Sequence, residues 1–247
     1  MAETTHPALP SRLPTHIAVI MDGNGRWAAS RGLPRIMGHR AGTENLRAII
    51  RACVEFGIQY LTIYAFSTEN WSRPEDEVQG LMMILEDVID NELEELHREG
   101  VRIRHVGRPE GFTPRLREKV QRAVETTRQN QRLVLCVAFN YGGRDELVYA
   151  IQNMIRDGLQ PEQICEDTVG RYLFTSGVPD PDLIIRTSGE LRASNFLIWQ
   201  GAYAEWYFPE VNWPDFDKEQ LRQALFVYAA RDRRFGGLSH EDCSDAA

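Results

Sequence analysis

The chain has 247 residues, 43% of them hydrophobic and 26% charged, and its formal net charge is -8. This composition is ordinary for a soluble globular protein, and the negative charge argues against a general nucleic-acid binder, which normally presents a basic surface. The four cysteines form no CxxC pair, so we expect neither a zinc site nor a disulfide framework, which suits a cytoplasmic location. We expect no secretory signal, and no apolar run approaches the roughly 18 residues of a membrane span.

The first predicted strand leads into a loop suited to binding anions. Residues 17–21 form an apolar, β-branched run that stops at Asp22-Gly-Asn-Gly, where the glycines permit a tight turn. A helix is predicted to begin near Gly25, and its free N–H groups would attract anions. Arg35 and His39 follow closely. A carboxylate among such groups suits a diphosphate bridged by magnesium, because the ion takes oxygen ligands from both partners.

The residues of this loop allow two other interpretations. Residues 23–28 fit a dinucleotide-binding fingerprint, with Glu44 about 20 residues further on. That fold needs a long helix after the glycines, whereas Gly32, Pro34 and Gly38 are predicted to break the chain almost at once. A simple tight turn with solvated charges would also explain an isolated Asp-Gly pair, but the density of arginine and histidine argues against it.

Hydrophobic periodicity predicts the remaining elements in chain order. Residues 1–14 are predicted to be a flexible lead, and residues 239–247 a flexible tail. Further strands are predicted over residues 60–66, 101–106, 133–139, 182–186 and 196–199. Helices are predicted over residues 42–56, 74–96, 113–129, 144–155, 161–174 and 217–234. Strands that alternate with helices predict one α/β domain over residues 15–238, built around a mostly parallel sheet.

Polar loops follow four of the predicted strands. In a parallel sheet the carboxyl ends of the strands share one edge, which is where ligands bind in open α/β folds. The loop after residues 182–186 supplies Arg186, Arg192 and Ser194, whose forked donors and hydroxyl suit a diphosphate. Composition alone fits a solvated arginine loop equally well. Glu205, in an aromatic-rich run, is a candidate second metal ligand, although the residues alone favour a surface carboxylate.

Six segments of the chain resemble the motif series of cis-prenyltransferases, most closely that of the bacterial undecaprenyl diphosphate synthases. The segments lie in order between His16 and Gly237 and cover residues 21–28, 38–42, 65–74, 140–144, 186–196 and 234–236. Together they are far more specific than any one of them alone. The Asp-Asp-x-x-Asp motif of trans-prenyltransferases is absent from the sequence.

The resemblance implies a homodimeric, magnesium-dependent enzyme that extends an allylic diphosphate, such as farnesyl diphosphate, with isopentenyl diphosphate units in cis geometry. It implies that Asp22 binds the magnesium diphosphate and that Glu205 completes the metal site. The catalytic residues it implies are Asp22, Arg26, His39 and Asn70. The substrate-binding residues it implies are Gly23, Asn24, Gly25, Arg26, Trp27, Arg35, His39, Ser67, Glu69, Asn70, Trp71, Arg73, Arg186, Arg192 and Ser194. The group that removes the proton stays open, since a released diphosphate could serve.

The resemblance also implies a hydrophobic tunnel along the long helix that begins at Pro74, although such an apolar stripe is more often simply core. Ala65 would lie near the tunnel entrance and Leu133 near its floor, which predicts a product of undecaprenyl length. A lipid product implies peripheral contact with the inner face of a membrane. Two alternatives stay open: a non-catalytic binding subunit of the same fold, and a purely structural helix end at residues 234–236, which in relatives reach a neighbouring subunit's site.

Overall fold

The computed structural model describes residues 9–231, so the predicted tail at 239–247 and the motif at 234–236 lie outside the described residues. The strands are β1 (His16–Ile20), β2 (Tyr60–Ser67), β3 (Val101–Val106), β4 (Leu133–Tyr141), β5 (Leu183–Arg186) and β6 (Glu205–Tyr207). The helices are α1 (Asn24–Ala29), α2 (Arg35–Phe56), α3 (Glu75–Arg98), α4 (Pro114–Thr126), α5 (Gly143–Arg156), α6 (Glu166–Tyr172) and α7 (Lys218–Ala229).

The six strands form one sheet in the order β3-β4-β2-β1-β5-β6. All five strand pairs are parallel, which confirms the predicted α/β class and single mostly parallel sheet. Every residue of β1 is buried, because β1 lies between β2 and β5, with residues of α2 and α7 on one face and the segments around Phe174 and Phe196 on the other. The parallel arrangement brings the carboxyl ends of all six strands to one edge, as the sequence predicts.

Local sequence explains where the longest helices begin and end. Pro34 and Pro74 precede the first residues of α2 and α3, where a missing N–H costs nothing. Gly57 ends α2 with a φ of 77°, a left-handed conformation that glycine adopts without strain. The first turn of α3 carries Glu75, Asp76 and Glu77, whose charges favour the positive end of the helix dipole.

The predicted strand at residues 196–199 is wrong, because these residues form turns. Asn195 and Leu197 have φ angles of 62° and 45°, which no strand can accommodate. Phe196 and Leu197 are nevertheless buried, so their apolar character reflects a packed turn rather than a strand. The last strand of the sheet is instead the three-residue β6.

Two helix predictions also differ from the structure. Helix α2 begins at Arg35 rather than residue 42, because Gly38 does not break it: a Cβ there would lie 2.0 Å from the Asn24 backbone oxygen, so glycine is required where α2 touches α1. The predicted helix over residues 161–174 is divided into a short 3-10 turn, Pro161–Gln163, and α6. Helix α1 spans only six residues, which argues against the dinucleotide interpretation.

The amino-terminal residues that are described pack against the domain. Leu9 and Leu13 are partly buried against the main hydrophobic core, and the Arg12 guanidinium lies over the Tyr228 ring. Residues 1–8 of the predicted lead lie outside the described range. No helix within residues 9–231 is both long and apolar enough to cross a membrane.

An apolar cavity of about 190 Å³ lies between α2, α3 and one face of the sheet. Its wall includes Leu85 and Ile89 from α3, Ile50 from α2 and Ala65 from β2. Leu133 is fully buried in the neighbouring core, whereas Leu135 and Val137 of the same strand line the cavity. The apolar stripe of α3 therefore faces a space as well as a packed core.

Candidate functional site

Asp22 lies two residues beyond β1 and is held by groups from both sides. Its Oδ2 accepts a hydrogen bond of 2.8 Å from Arg186 Nη2, and its Oδ1 accepts one of 2.8 Å from the Gly23 amide. Arg26 Nη2 lies 3.5 Å from Oδ1. The Asp22 side chain is 30% exposed, so its carboxylate remains open to a ligand from the solvent side.

Several interactions hold the buried Arg186 guanidinium in place at the carboxyl end of β5. The side chain is only 4% exposed. Its Nη1 donates to Ser194 Oγ at 2.6 Å and to the Arg192 backbone oxygen, while its Nη2 donates to Asp22. Its Nε is buried without a hydrogen-bond partner. Such a fixed, incompletely paired cation is suited to an anionic ligand at this edge.

The environment keeps Asp22 ionised. Burial alone would raise the pKa of its carboxyl group, but the hydrogen bonds from Arg186 and Gly23 and the charges of Arg186 and Arg26 outweigh burial and hold the pKa below its ordinary value. At neutral pH Asp22 is therefore an anion surrounded by cations. This arrangement leaves oxygen lone pairs available for a further cation.

Gly23 has a φ of 100°, and a Cβ on it would lie 2.4 Å from Asn212 Oδ1. Ser188 Oγ donates to the same Asn212 oxygen at 2.7 Å, so the turn after β1 packs directly on the loops after β5 and β6. Ser188 and Ser194 themselves have positive φ angles, of 73° and 46°. Non-glycine residues in this conformation concentrate at functional sites, where packing compensates for the strain.

Glu190 joins two of the predicted substrate-binding arginines. Arg26 Nη2 lies 2.8 Å from one Glu190 oxygen, and Arg192 pairs with the other. The Arg192 side chain is 62% exposed, so Glu190 limits its freedom without burying it. Glu190 is not among the residues predicted from the sequence, because an acidic residue within an arginine loop gives no sign of which cations it will meet.

A second carboxylate, Glu77, lies close to three basic residues that are among the predicted site residues. Its Oε1 lies 3.0 Å from Arg35 Nε, 2.9 Å from Arg73 Nη1 and 3.7 Å from His39 Nε2. Burial lowers the pKa of His39 and the two arginines lower it further, against the opposing effect of Glu77. Because the ordinary pKa of histidine is near 6.5, His39 is mostly neutral at pH 7.

A cleft beside α1 brings most of the predicted residues together. Its lining includes Asp22, Gly23, Asn24, Gly25, Arg26, Arg35, His39 and Arg73. The Asn24 side-chain oxygen is buried there without a partner. Trp27 does not line this cleft; its indole N–H donates to Asp215 at 2.7 Å on another side of α1. Asp22, His39 and Arg73 therefore share one space, and Trp27 lies outside it.

The turn after β2 carries the remaining predicted residues. It is a 3-10 helix, Thr68–Ser72, in which the Ser67 amide donates to Asn70 Oδ1 at 3.0 Å. The Trp71 indole N–H donates to Asn140 at 2.8 Å, near the carboxyl end of β4. Glu69 accepts from Asn195 at 2.8 Å, in the loop after β5. The loops after β2 and β5 and the carboxyl end of β4 thus contact one another at one edge of the sheet, as the sequence predicts.

Glu205 is not brought to Asp22 within the chain. It begins β6 in register with Leu183, three residues before Arg186, which corresponds to roughly 10 Å along a strand. Its carboxylate accepts from Arg231 Nη1 at 2.9 Å. Its role as a metal ligand stays a prediction.

The donor set around Asp22 suits a magnesium ion that is shared with a diphosphate. Magnesium is usually held by one or two carboxylates together with phosphate oxygens and water, rather than by a complete cage of protein ligands. Within residues 9–231 no group of three or more His, Cys, Asp or Glu side chains could hold a metal ion. One accessible carboxylate beside several arginines therefore fits a metal that arrives with its substrate.

Comparisons with known proteins agree with this chemistry. Residues 20–236 match the family model for undecaprenyl diphosphate synthase, a prenyltransferase family. An isoprenyl transferase from Clostridium perfringens is 51% identical over 93% of this chain and 92% of its own length. An isoprenyl transferase from Thermotoga maritima is 51% identical over 92% of this chain and 98% of its own length.

Solved structures show the same fold. The lavandulyl diphosphate synthase from Lavandula x intermedia, in complex with dimethylallyl diphosphate, superposes with a TM-score of 0.87 at 35% identity and covers 91% of this chain and 98% of its own. A probable undecaprenyl diphosphate synthase from Campylobacter jejuni superposes with a TM-score of 0.78 at 32% identity and covers 92% of this chain and 99% of its own.

Proposed function

The chain belongs to the undecaprenyl diphosphate synthase family of prenyltransferases, and from that premise we propose which reaction its site performs. It condenses isopentenyl diphosphate units in cis geometry onto an allylic diphosphate such as farnesyl diphosphate. The product is a long-chain polyprenyl diphosphate of undecaprenyl length, a lipid carrier precursor for cell-wall synthesis. The observation that carries this proposal is the Asp22–Arg186 pair at the carboxyl edge of the sheet, beside an apolar cavity.

Two neighbouring groups of cations fit two diphosphates. Arg26, Arg35 and Arg73 surround the cleft beside Asp22 and would hold the allylic diphosphate together with the backbone amides of residues 23–25. Arg186, Arg192 and Ser194 would hold the isopentenyl diphosphate. Arg186 contacts both Asp22 and Ser194, so the proposed sites share one buried cation. This proximity would bring the two reacting carbons together.

The geometry supports an electrophilic alkylation. The bond between C1 of the allylic group and its diphosphate oxygen breaks, and the diphosphate leaves with the electron pair. The terminal carbon of the isopentenyl double bond joins C1, and a proton is lost from C2 of the isopentenyl unit. Asp22 would orient the leaving diphosphate, while Arg26 and Arg186 would stabilise its developing charge. Magnesium, when bound, would neutralise diphosphate oxygens and weaken the bond that breaks.

Other predicted residues have roles at the edge of this reaction. His39, mostly neutral and beside Glu77, can donate one hydrogen bond to a phosphate oxygen without adding charge. Asn70 uses its side-chain oxygen to accept from the Ser67 amide, which leaves its NH2 group free to orient substrate. Ser67, Glu69 and Trp71 belong to the same turn and would form the outer wall of the allylic site.

The apolar cavity would receive the growing chain. Its walls come from α2, α3 and the sheet, and its lining extends from Met21 and His39 beside the cleft to Leu96 near the far end of α3. Ala65 presents a small side chain to this space, which leaves room for the first isoprene units. The cavity begins beside the proposed diphosphate site and is bordered by α3, a helix of 24 residues, which sets the direction in which a growing chain would extend.

A homodimer is part of the proposal. Val148, Ile151 and Ile155 of α5 are exposed at helical spacing, and Ile155 is 72% exposed. A second copy of the chain would remove this apolar stripe from water. Peripheral contact with a membrane is proposed from the lipid character of the product.

The test is incubation of the purified protein with farnesyl diphosphate, labelled isopentenyl diphosphate and magnesium, followed by chromatography of the dephosphorylated products. The expected result is a ladder of polyprenols that ends near undecaprenol and disappears when the primer is omitted or the metal is chelated. Products that stop at farnesol or run to very long chains would refute the proposed length. No elongation with any primer would refute the activity and favour a non-catalytic subunit.

A further inference from the structure

Asn195 connects three segments of the chain, which follow β2, β4 and β5. It lies in the loop after β5 with a φ of 62°. Its backbone oxygen accepts from the Gly143 amide at 2.7 Å, and its Oδ1 accepts from the Arg144 amide at 2.9 Å. Its Nδ2 donates to Glu69 Oε1 at 2.8 Å. One side chain therefore joins the first turn of α5, which follows β4, to the turn after β2.

These contacts connect the two proposed substrate sites. Glu69 belongs to the turn Thr68–Ser72, which also carries Asn70 and Trp71 of the allylic site. Asn195 directly follows Ser194, whose hydroxyl accepts from Arg186 in the isopentenyl site. A displacement of Glu69 would be transmitted through the Asn195 side chain to the backbone on which Ser194 is carried.

The position requires an amide side chain. Asparagine can accept from Arg144 and donate to Glu69 at once, whereas aspartate accepts only and leucine does neither. Asparagine is also among the residues that tolerate a left-handed backbone. The surrounding atoms are tightly packed, since a Cβ on Gly142 would lie 2.6 Å from Thr68 Oγ1 and 2.8 Å from Asn195 Nδ2.

Glu69 is a strong acceptor for this contact. Partial burial would raise the pKa of Glu69, but the hydrogen bonds from Asn195 and from neighbouring groups outweigh burial and hold it below its ordinary value. The hydrogen bond therefore ends on an ionised carboxylate, and such bonds are stronger than neutral ones.

We propose that the Asn195–Glu69 hydrogen bond couples the two substrate sites, so that an allylic diphosphate that orders the turn Thr68–Ser72 also raises the affinity for isopentenyl diphosphate. Asn195 is a positioning residue in this account, because it acts through Glu69 and Ser194 rather than on the substrates. The inference rests on the proposed function, since it concerns the same two sites. Coupling of this kind is reciprocal, so isopentenyl diphosphate must raise the affinity for the allylic ligand by the same factor.

The test uses three variants of the full chain: Asn195→Asp, Glu69→Gln and the double variant. Asn195→Asp keeps the acceptor for Arg144 but places a carboxylate against Glu69. The double variant restores the hydrogen bond with reversed polarity, because glutamine can donate to the new aspartate and the total charge of the pair returns to its original value. Calorimetry would measure isopentenyl diphosphate affinity in magnesium, with and without farnesyl thiodiphosphate, which is an unreactive allylic analogue.

Asn195→Asp is expected to raise the dissociation constant for isopentenyl diphosphate in the presence of the analogue about tenfold and to abolish the affinity gain that the analogue causes. Glu69→Gln is expected to change the affinity for isopentenyl diphosphate and the gain caused by the analogue by only about twofold, since glutamine still accepts a hydrogen bond from Asn195. The double variant is expected to recover most of the coupling. A double variant no better than Asn195→Asp, or a fall in thermal midpoint that accounts for every change, would refute the proposal.

Elongation by the wild-type protein separates this inference from the proposed function. If the wild-type chain elongates a primer but its two ligands bind independently, only the coupling fails. If it neither elongates nor binds the two diphosphates, the proposed function fails, and the coupling fails with it.

Discussion

A polar side chain lies at each end of β1, and the two differ in exposure and in hydrogen bonding. His16, at the amino end, is 2% exposed, and both ring nitrogens are hydrogen bonded: Nδ1 lies 2.7 Å from the Pro179 oxygen and Nε2 lies 2.7 Å from Thr62 Oγ1. Asp22, just beyond the carboxyl end, is 30% exposed and keeps unused acceptor capacity. All hydrogen-bonding groups of the His16 ring are therefore paired, whereas the Asp22 carboxylate is only partly paired and is accessible to solvent.

Electrostatics amplifies this contrast. Burial lowers the pKa of His16 to about 4, so the ring is neutral at pH 7. Arginine neighbours keep Asp22 charged under the same conditions. A buried group that is neutral and fully bonded stabilises the fold, whereas a charged group with spare lone pairs can bind a ligand. A fully paired structural group therefore lies at one end of β1, and a charged group suited to binding a ligand lies just beyond the other.

The largest expected effect concerns the functional end. Asp22→Asn should lower kcat by about 10²–10³, because it removes a negative charge where a metal diphosphate is proposed to bind. The thermal midpoint should fall as well, because the buried Arg186 guanidinium loses its charged partner and keeps only a neutral hydrogen-bond acceptor. Steady-state kinetics and thermal unfolding check both parts. Asp76→Asn, in the exposed first turn of α3, is the matched control, and an active Asp22→Asn enzyme would remove Asp22 from the proposed mechanism.

The next effect concerns the structural end and depends on pH. The folded-state pKa of His16 lies below its unfolded value, so the unfolded chain takes up a proton first as the pH falls. The contribution of His16 to stability is therefore present above pH 6.5 and lost as the pH falls towards 4, and it amounts to about 3 kcal/mol.

Urea unfolding of the wild-type chain and His16→Gln at several pH values measures that loss. His39 and His105 also have lowered pKa values, so the wild-type slope contains their contributions, and the difference between the two chains isolates that of His16. Identical pH slopes in the two chains would contradict the assignment.

The smallest expected effect tests the hydrogen bonding of His16 directly. Thr62→Val keeps the shape of the side chain but removes the partner of His16 Nε2, which should cost about 1–3 kcal/mol of unfolding free energy. Thr62→Ser retains the hydroxyl and should cost less. Both variants should keep the wild-type kcat, and a loss of activity at unchanged stability would show that the two ends of β1 are not independent.

Local patterns were sufficient for most of the fold. The strands at residues 60–66, 101–106 and 133–139 and the long helix after Pro74 follow from continuous or periodic apolar residues and from turn signals at their ends. The turn at residues 196–199 was missed because a short apolar run has the same composition whether it is extended or folded back. Gly38 was misjudged because its contact with α1 cannot be seen in local sequence.

The parallel sheet, its polar edge and the main charged groups of the site can be predicted from the sequence, because each of these depends on neighbours within a few residues or on the order of the strands. Which charges meet depends instead on the fold: Asp22 pairs with Arg186, 164 positions away, and Glu69 pairs with Asn195, 126 positions away. The fold also places Glu77 beside Arg35, Arg73 and the mostly neutral His39, and it leaves Glu205 away from Asp22. Pairing over such distances depends on sheet order and loop packing, which no local pattern encodes.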